Sequence, residues 1–278
     1  MFENTYPYAI LKQRFGEQRL RRQPEMDSIM MDREQDLQYS RDGQDGALAV
    51  LYEFIIHVLL RRAPATGEAL DVATGSGQLL AKLAVALPGV RFLATDLSPH
   101  MLSLAEGNAR RAGAANVETK AHSMFDLETL GRGPFDLITW CFAAHHSPTA
   151  DDAVRALDGM ARLLKPGGTL FVFDIQRPKT GDLAVAFADR YNQTQGAWYY
   201  QDSLDSYKAA FTFGEFRRAL ERSSLKNWVH VDPRLGNFFQ MVLIAATRRR
   251  DAPARPPLPR LWQRRDYALM RLGFAGRW

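Results

Sequence analysis

The chain has 278 residues, 46% hydrophobic and 24% charged, an ordinary globular balance that excludes disorder throughout. Its single cysteine, Cys141, excludes an internal disulfide framework and a cysteine-based zinc site, and fits a reducing cytosol. The net charge of +5 is uneven: from Arg248 onward nine Arg face two Asp, a local +7, so the remainder is near −2 and the basicity belongs to a tail.

Glu3 and the absence of an apolar run behind a basic start argue against a secretory signal. The longest apolar stretch, 50–60, is interrupted by Glu53 and His57 and is too short to span a bilayer, so a cytoplasmic location without membrane attachment is expected. Residues 1–45 are polar, Met- and Arg-rich, with helical patches such as 8–22. Residues 46–62 (GALAVLYEFIIHVLLRR) combine long apolar stretches with good helix formers and read as a buried helix.

From Leu70 to about Ala246 strand-like and helix-like segments alternate. A strand over 69–73 runs into Gly75-Ser76-Gly77 and a helix over 78–86. A second strand over 90–95 ends at Asp96. Ser98 as N-cap and Pro99 at the first helical position open the next helix, which runs to about Arg111. Strands over 117–121 and 135–140, a helix over 151–164, a turn over 165–168 and a strand over 169–175 follow. Such alternation implies right-handed crossovers and a parallel sheet covered on both faces. Strand candidates over 227–232 and 237–246 are separated by only 233–236, a connection short enough to require antiparallel pairing. Four prolines fall in 253–259, ahead of an amphipathic end containing Leu261, Trp262, Tyr267, Leu269, Leu272 and Phe274.

Gly75 and Gly77 stand where a strand turns into a helix and the backbone must turn tightly against a ligand; a simple tight turn explains a glycine pair equally well. Asp96 lies 19 residues beyond Gly77, at the end of the next strand, where a carboxylate can accept bonds from both ribose hydroxyls. A dinucleotide site is disfavoured, because Leu80 replaces the third glycine, Asp71 precedes the loop, and Leu163–Leu170 (LLKPGGTL) is an element such folds do not need.

Four motifs in order, LDVATGSG, TDLSPHML, FDLITWCFAAHH and LLKPGGTLFVFD, resemble those of the class I S-adenosylmethionine (SAM)-dependent methyltransferases, particularly the small-molecule branch. The resemblance implies an α/β, Rossmann-like three-layer sandwich: a mostly parallel seven-stranded sheet with a C-terminal antiparallel hairpin strand. It implies a division into an N-terminal helical lid or arm (1–62), a SAM-binding domain (63–247) with a substrate-roofing insert near 176–212, and a basic extension (248–278). Its cofactor would be SAM. Asp71 would lie near the methionine amino group, Ala73, Thr74, Gly75 and Gly77 would form the loop, and Asp96 would hold the ribose. Leu97 and Met101 would pack on adenine, with Ser123, Met124 and Cys141 also at the cofactor. Ala73 replaces the commonest first glycine, and Ser123 stands where many members carry an aspartate for the adenine amino group.

His145 and His146, at the carboxyl edge of the sheet, are the candidate bases; pocket shaping and capping are the bland alternatives. Tyr39, Trp140, Phe142, Trp198, Tyr199, Ser206 and Tyr207 are the candidate acceptor-pocket residues, with core packing as the competing role for the aromatics. No acidic partner with metal-ligand spacing accompanies the histidines, so no metal is expected. The expected reaction is methyl transfer to an O or N nucleophile of a small molecule. A SAM cyclase or lyase and a non-catalytic SAM-fold protein are the alternatives. The arms could form a homodimer. The tail lacks glycine–aromatic repeats and the core lacks a base-flipping motif, so nucleic acid is not the expected partner.

Overall fold

The same alternation that marks the strands in the sequence sorts their side chains onto two faces. In the computed structural model, residues 6–25, 47–195, 197–233, 238–245, 267–268 and 270–274 are described, with backbone alone for 6, 7, 47, 190–195, 197 and 198. The order is α1 (Tyr6–Phe15), α2 (Ala47–Leu60), β1 (Gly67–Val72), α3 (Gln78–Ala86), β2 (Val90–Asp96), α4 (Pro99–Ala112), β3 (Val117–Ala121), β4 (Phe135–Cys141), α5 (Ala150–Leu163) and β5 (Leu164–Ile175). Then come α6 (Gly181–Gln195), α7 (Ala197–Ala209), α8 (Phe213–Arg222), β6 (Val229–Val231) and β7 (Phe239–Ile244).

The strands form one seven-stranded sheet in the order β3-β2-β1-β4-β5-β7-β6. β3, β2, β1, β4 and β5 run parallel to one another, and β7 runs antiparallel to both β5 and β6. This is the expected Rossmann-like, mostly parallel sheet with its antiparallel strand at the C-terminal end. Ala69, Phe92, Leu137, Phe171, Phe173 and Met241 face one layer, built on α2 and α3. Leu70, Leu93, Ile138, Trp140, Val172 and Val242 face the other, built on α5 and α8. Covering both faces buries most of β1, β2, β4 and β5, while the edge strand β3 stays largely exposed.

Capping fixes the helices that position the site. The Ser98 hydroxyl accepts from the Met101 amide, Pro99 takes the first turn, and Gly113 ends α4 in the left-handed conformation. Thr149 with Asp152, and Thr212 with Glu215, form capping boxes at α5 and α8.

One difference from the sequence reading concerns the N-terminal end. The helix expected over 8–22 stops at Phe15, where Gly16 follows, and the chain continues without helix to Glu25. That segment is tied to the core instead: the Arg19 and Leu20 amides donate to the Lys179 carbonyl, and the Gln23 amide to that of Lys208. Tertiary hydrogen bonds here outweigh local helix propensity. At the other end, Phe274 is fully buried and stacks on Phe54 at 5.1 Å, and Tyr267 meets the His57 ring edge-on at 6.2 Å. Among the described residues no helix is long and apolar enough to cross a membrane.

Candidate active site

The β1–α3 loop is built around two carboxylates. Ala73, Gly75 and Gly77 all take positive φ, at 53°, 55° and 69°. Glycine adopts that region without a Cβ penalty, and Ala73 holds it at some strain. Asp96, at the tip of β2, fixes the loop from the side: its carboxylate accepts from the Gly75 amide at 2.8 Å and the Ser98 amide at 3.0 Å. Asp71 is buried beneath, accepting from the Thr74 hydroxyl at 2.6 Å and the Thr139 hydroxyl at 2.5 Å. Burial raises the pKa of both acids, that of Asp71 to about 6 even though the two hydroxyls work in the opposite direction.

These groups line a cavity at the carboxyl edge of the sheet. Asp71, Ala73, Thr74, Gly75, Asp96, Leu97, Met101, Met124 and Cys141 all reach it. Tyr52, Gln78, Ser98, His122 and Phe125 line it too, without having been singled out from the sequence. Gly77 and Ser123 are placed elsewhere. Gly77 sits against α4, where a Cβ would lie 2.6 Å from that of Ala105. The Ser123 hydroxyl turns back to accept from the Phe125 amide at 3.1 Å.

A second cavity adjoins the first, and Phe142 and His146 line both. His145, Tyr199, Asp202, Ser206 and Tyr207 line the second only. Trp140, expected at this pocket, is instead fully buried in the core at 6.2 Å from the Phe216 ring. It shares the parity of Ile138 on β4 and therefore points to the α5–α8 layer. Tyr39 and the side chain of Trp198 lie outside the described residues.

The two histidines stand in the short 3-10 turn Ala144–His146 after β4, each with its own carboxylate. His145 Nδ1 meets Asp174 at 2.8 Å, and the same carboxylate accepts the His145 amide at 2.8 Å. Burial opposes the imidazolium, but the charge and hydrogen bond of Asp174 outweigh it and raise the His145 pKa to about 8. His146 Nδ1 meets Glu25 at 2.6 Å. Burial would raise the Glu25 pKa, but the hydrogen bond and charge of His146 bring it down to about 2, with help from His145 and Ser206. An ionised carboxylate only accepts, so each Nδ1 carries the proton and each Nε2 is turned away from its acid.

Glu25 reaches this place because Arg22 anchors the segment before it. The Arg22 guanidinium donates to the carbonyls of Ala209 (2.6 Å), Ser147 (2.5 Å), Pro148 (2.9 Å) and His145 (3.1 Å) and lies 4.0 Å from the Phe211 ring centre. The sequence reading found no acidic partner for the histidines. The structure brings Glu25 in from 121 residues away, so that Glu25, His145 and His146 place one donor atom each within 4.8 Å of one another.

Because the folded pKa of His145 lies above its ordinary 6.5, its ion pair contributes stability in full below pH 6.5 and loses it as pH rises through about 8. The unfolding free energy is expected to fall by about 2 kcal/mol across that window, and Asp174→Asn to remove the dependence. Denaturant titrations at a series of pH values measure this, and an unchanged slope in the variant would reject the pairing.

Comparison with known proteins is consistent with this geometry. Residues 69–168 match the model of a family described as a methyltransferase domain. That match runs from β1 through the glycine loop, Asp96 and the histidine turn into β5. The chain is 32% identical over 151 residues to a ubiquinone biosynthesis O-methyltransferase of Xanthomonas axonopodis pv. citri, covering 53% of this chain and 61% of that one. It is 37% identical over 111 residues to a chondramide synthase of Chondromyces crocatus, covering 39% of this chain but 3% of that protein. The chain thus spans less than two thirds of either relative. The crystal structure of a plantazolicin methyltransferase, in complex with a triazolic desmethylPZN analog and S-adenosylhomocysteine (SAH), superposes with TM-score 0.56 at 13% identity, over 77% of this chain and 98% of that one. At that identity the likeness concerns the fold alone.

Proposed function

We propose that the protein is a SAM-dependent methyltransferase that moves a methyl group to an O or N nucleophile of a small molecule. One observation carries the reading: a cavity built on the glycine loop and Asp96 meets a second cavity at Phe142 and His146. A nucleophile held in the second would face the reactive end of a cofactor held in the first. The donor set fits SAM. The two carboxylates suit a cationic amino acid moiety and a pair of ribose hydroxyls, and Leu97, Met101, Met124 and Phe125 offer an apolar seat for a flat base. SAM, when bound, supplies the electrophilic methyl on its sulfonium, so the protein's task is alignment and exclusion of water. The relative named for O-methyl transfer in ubiquinone biosynthesis supports a small-molecule acceptor.

His146 is the group suited to take the proton that the nucleophile releases. Glu25 holds its Nδ1 and directs Nε2 away from the acid, on a ring that borders both cavities, whereas His145 with its pKa near 8 is an imidazolium at neutral pH and lines the second cavity only.

The reading is tested by incubating the protein with SAM and extracts of small-molecule acceptors. Acceptor-dependent SAH supports it; methylthioadenosine without acceptor would indicate cyclisation instead, and no rise in melting temperature with saturating SAM would sink both. Asp96→Ala is expected to weaken SAM binding by roughly 1.5–3 kcal/mol, the range for hydrogen bonds to a charged group, as measured by isothermal titration. Undiminished affinity would take Asp96 out of the site.

A further inference from the structure

Three carboxylates gather around the histidine pair, and two are already answered. Glu25 is engaged by His146, and Asp174 by His145. The third, Asp202, stands on α7 and lines the second cavity. Among the described residues no hydrogen bond or ion pair reaches its carboxylate, and His145 acts on it only through its charge.

Its surroundings make that omission costly. Beside the histidines, Ser203 and Ser206, the cavity wall is apolar, from Leu48, Leu51, Phe142, Ile175 and Phe239, with Tyr199 and Tyr207 nearly inaccessible to solvent. A half-buried carboxylate without a partner gives up part of its hydration uncompensated, and a second acid nearby adds repulsion. Both effects are present: burial first, then the charge of Glu25, push the Asp202 carboxyl up to about 7. An anionic ligand would deepen the repulsion, and a neutral apolar one would leave the carboxylate desolvated. A cation relieves both terms, and the tyrosine rings add cation–π surface for it. A metal ion is the weaker fit, since Asp202 lies outside the three-donor group of Glu25, His145 and His146, whose carboxylate is already tied to an imidazole.

We propose that the acceptor is an apolar amine, its ammonium group paired with Asp202 while its nucleophile faces His146. This rests on the reading of the second cavity as the acceptor site. It assigns to α7 the choice of substrate, and to the turn after β4 the chemistry.

Three phenols of matched shape test the charge: tyramine, 4-ethylphenol and 3-(4-hydroxyphenyl)propionate, titrated calorimetrically into the full chain saturated with SAH. At pH 8, above the value of about 7 for Asp202, tyramine is expected to bind about tenfold tighter than 4-ethylphenol, and the propionate weakest. Asp202→Asn should remove the tyramine advantage and leave 4-ethylphenol within about twofold. Asp202→Ser is the second variant and should behave alike, with SAH affinity in each reporting that the fold is intact. Equal binding of the three phenols, a preference for the propionate, or an amine preference that survives both substitutions overturns the assignment. A protein that binds no SAH at all defeats the methyltransferase reading instead, so the two failures are separable.

Discussion

Replacing His146 with Asn is expected to lower the rate of methyl transfer by about 10²–10⁴-fold while leaving SAM affinity within about twofold, the range for loss of a positioned general base. The size follows from where the ring stands. His146 is one of the two residues that border both cavities, and Glu25 fixes its tautomer from 2.6 Å. With its pKa brought down to about 2, Glu25 stays ionised through the neutral range, so in the neutral tautomer of the ring the proton sits on Nδ1 and Nε2 is the nitrogen that can accept one. Glu25→Gln is the companion variant. An amide can satisfy Nδ1 by donating as well as by accepting, so the tautomer is no longer dictated and the rate should fall by less than in His146→Asn. The pH–rate profile is the decisive readout: loss of its acidic limb in His146→Asn marks a lost base. A variant with full rate and an unaltered profile would mean that positioning alone carries the reaction.

Much of the frame that holds this pair is written locally. The helix over 78–86 appears with the expected bounds, because Gly77 before it and the apolar period within it are near-neighbour signals. Ser98 and Pro99 mark the start of α4 for the same reason. The glycine loop and Asp96 are legible because a strand-to-helix turn and the tip of the next strand must meet when two parallel strands pair in register.

The acceptor side was legible only in part: Phe142, the two histidines, Tyr199, Ser206 and Tyr207 line the second cavity as expected, while their acidic partners were hidden by distance along the chain. Glu25 and His146 are 121 residues apart, and nothing near Glu25 marks it as more than one acid in a polar arm. Asp174 sits inside a quoted motif, yet its role depends on His145, 29 residues earlier, on the neighbouring strand edge. Trp140 was placed at the pocket by its neighbours in sequence. Strand parity decides otherwise: Thr139 turns to Asp71, and Trp140 therefore turns away. Counting parity from Thr139 would have been enough to see it.

Gly77 illustrates how a motif residue can matter for a different reason than its motif suggests. Read from the sequence it belongs to the cofactor loop; in the structure it is the point where the start of α3 presses on α4. A methyl group added there would stand 2.6 Å from the Ala105 Cβ and 2.7 Å from its Cα, and the second of these is backbone that cannot swing aside. The position is also left-handed, at φ 69°, so alanine would be strained even in open space. Overpacking of this kind costs about 1–3 kcal/mol and the left-handed backbone about 1–2 more, so Gly77→Ala is expected to destabilise the fold by roughly 2–5 kcal/mol. Thermal unfolding without ligand measures it directly. Pairing Gly77→Ala with Ala105→Gly separates the causes, because the smaller partner removes the contact with Cβ and leaves the backbone contact and strain in place. Partial recovery of stability is therefore expected in the double variant. A single variant as stable as the parent, with only SAM affinity reduced, would return Gly77 to the cofactor and remove the helix contact from the account.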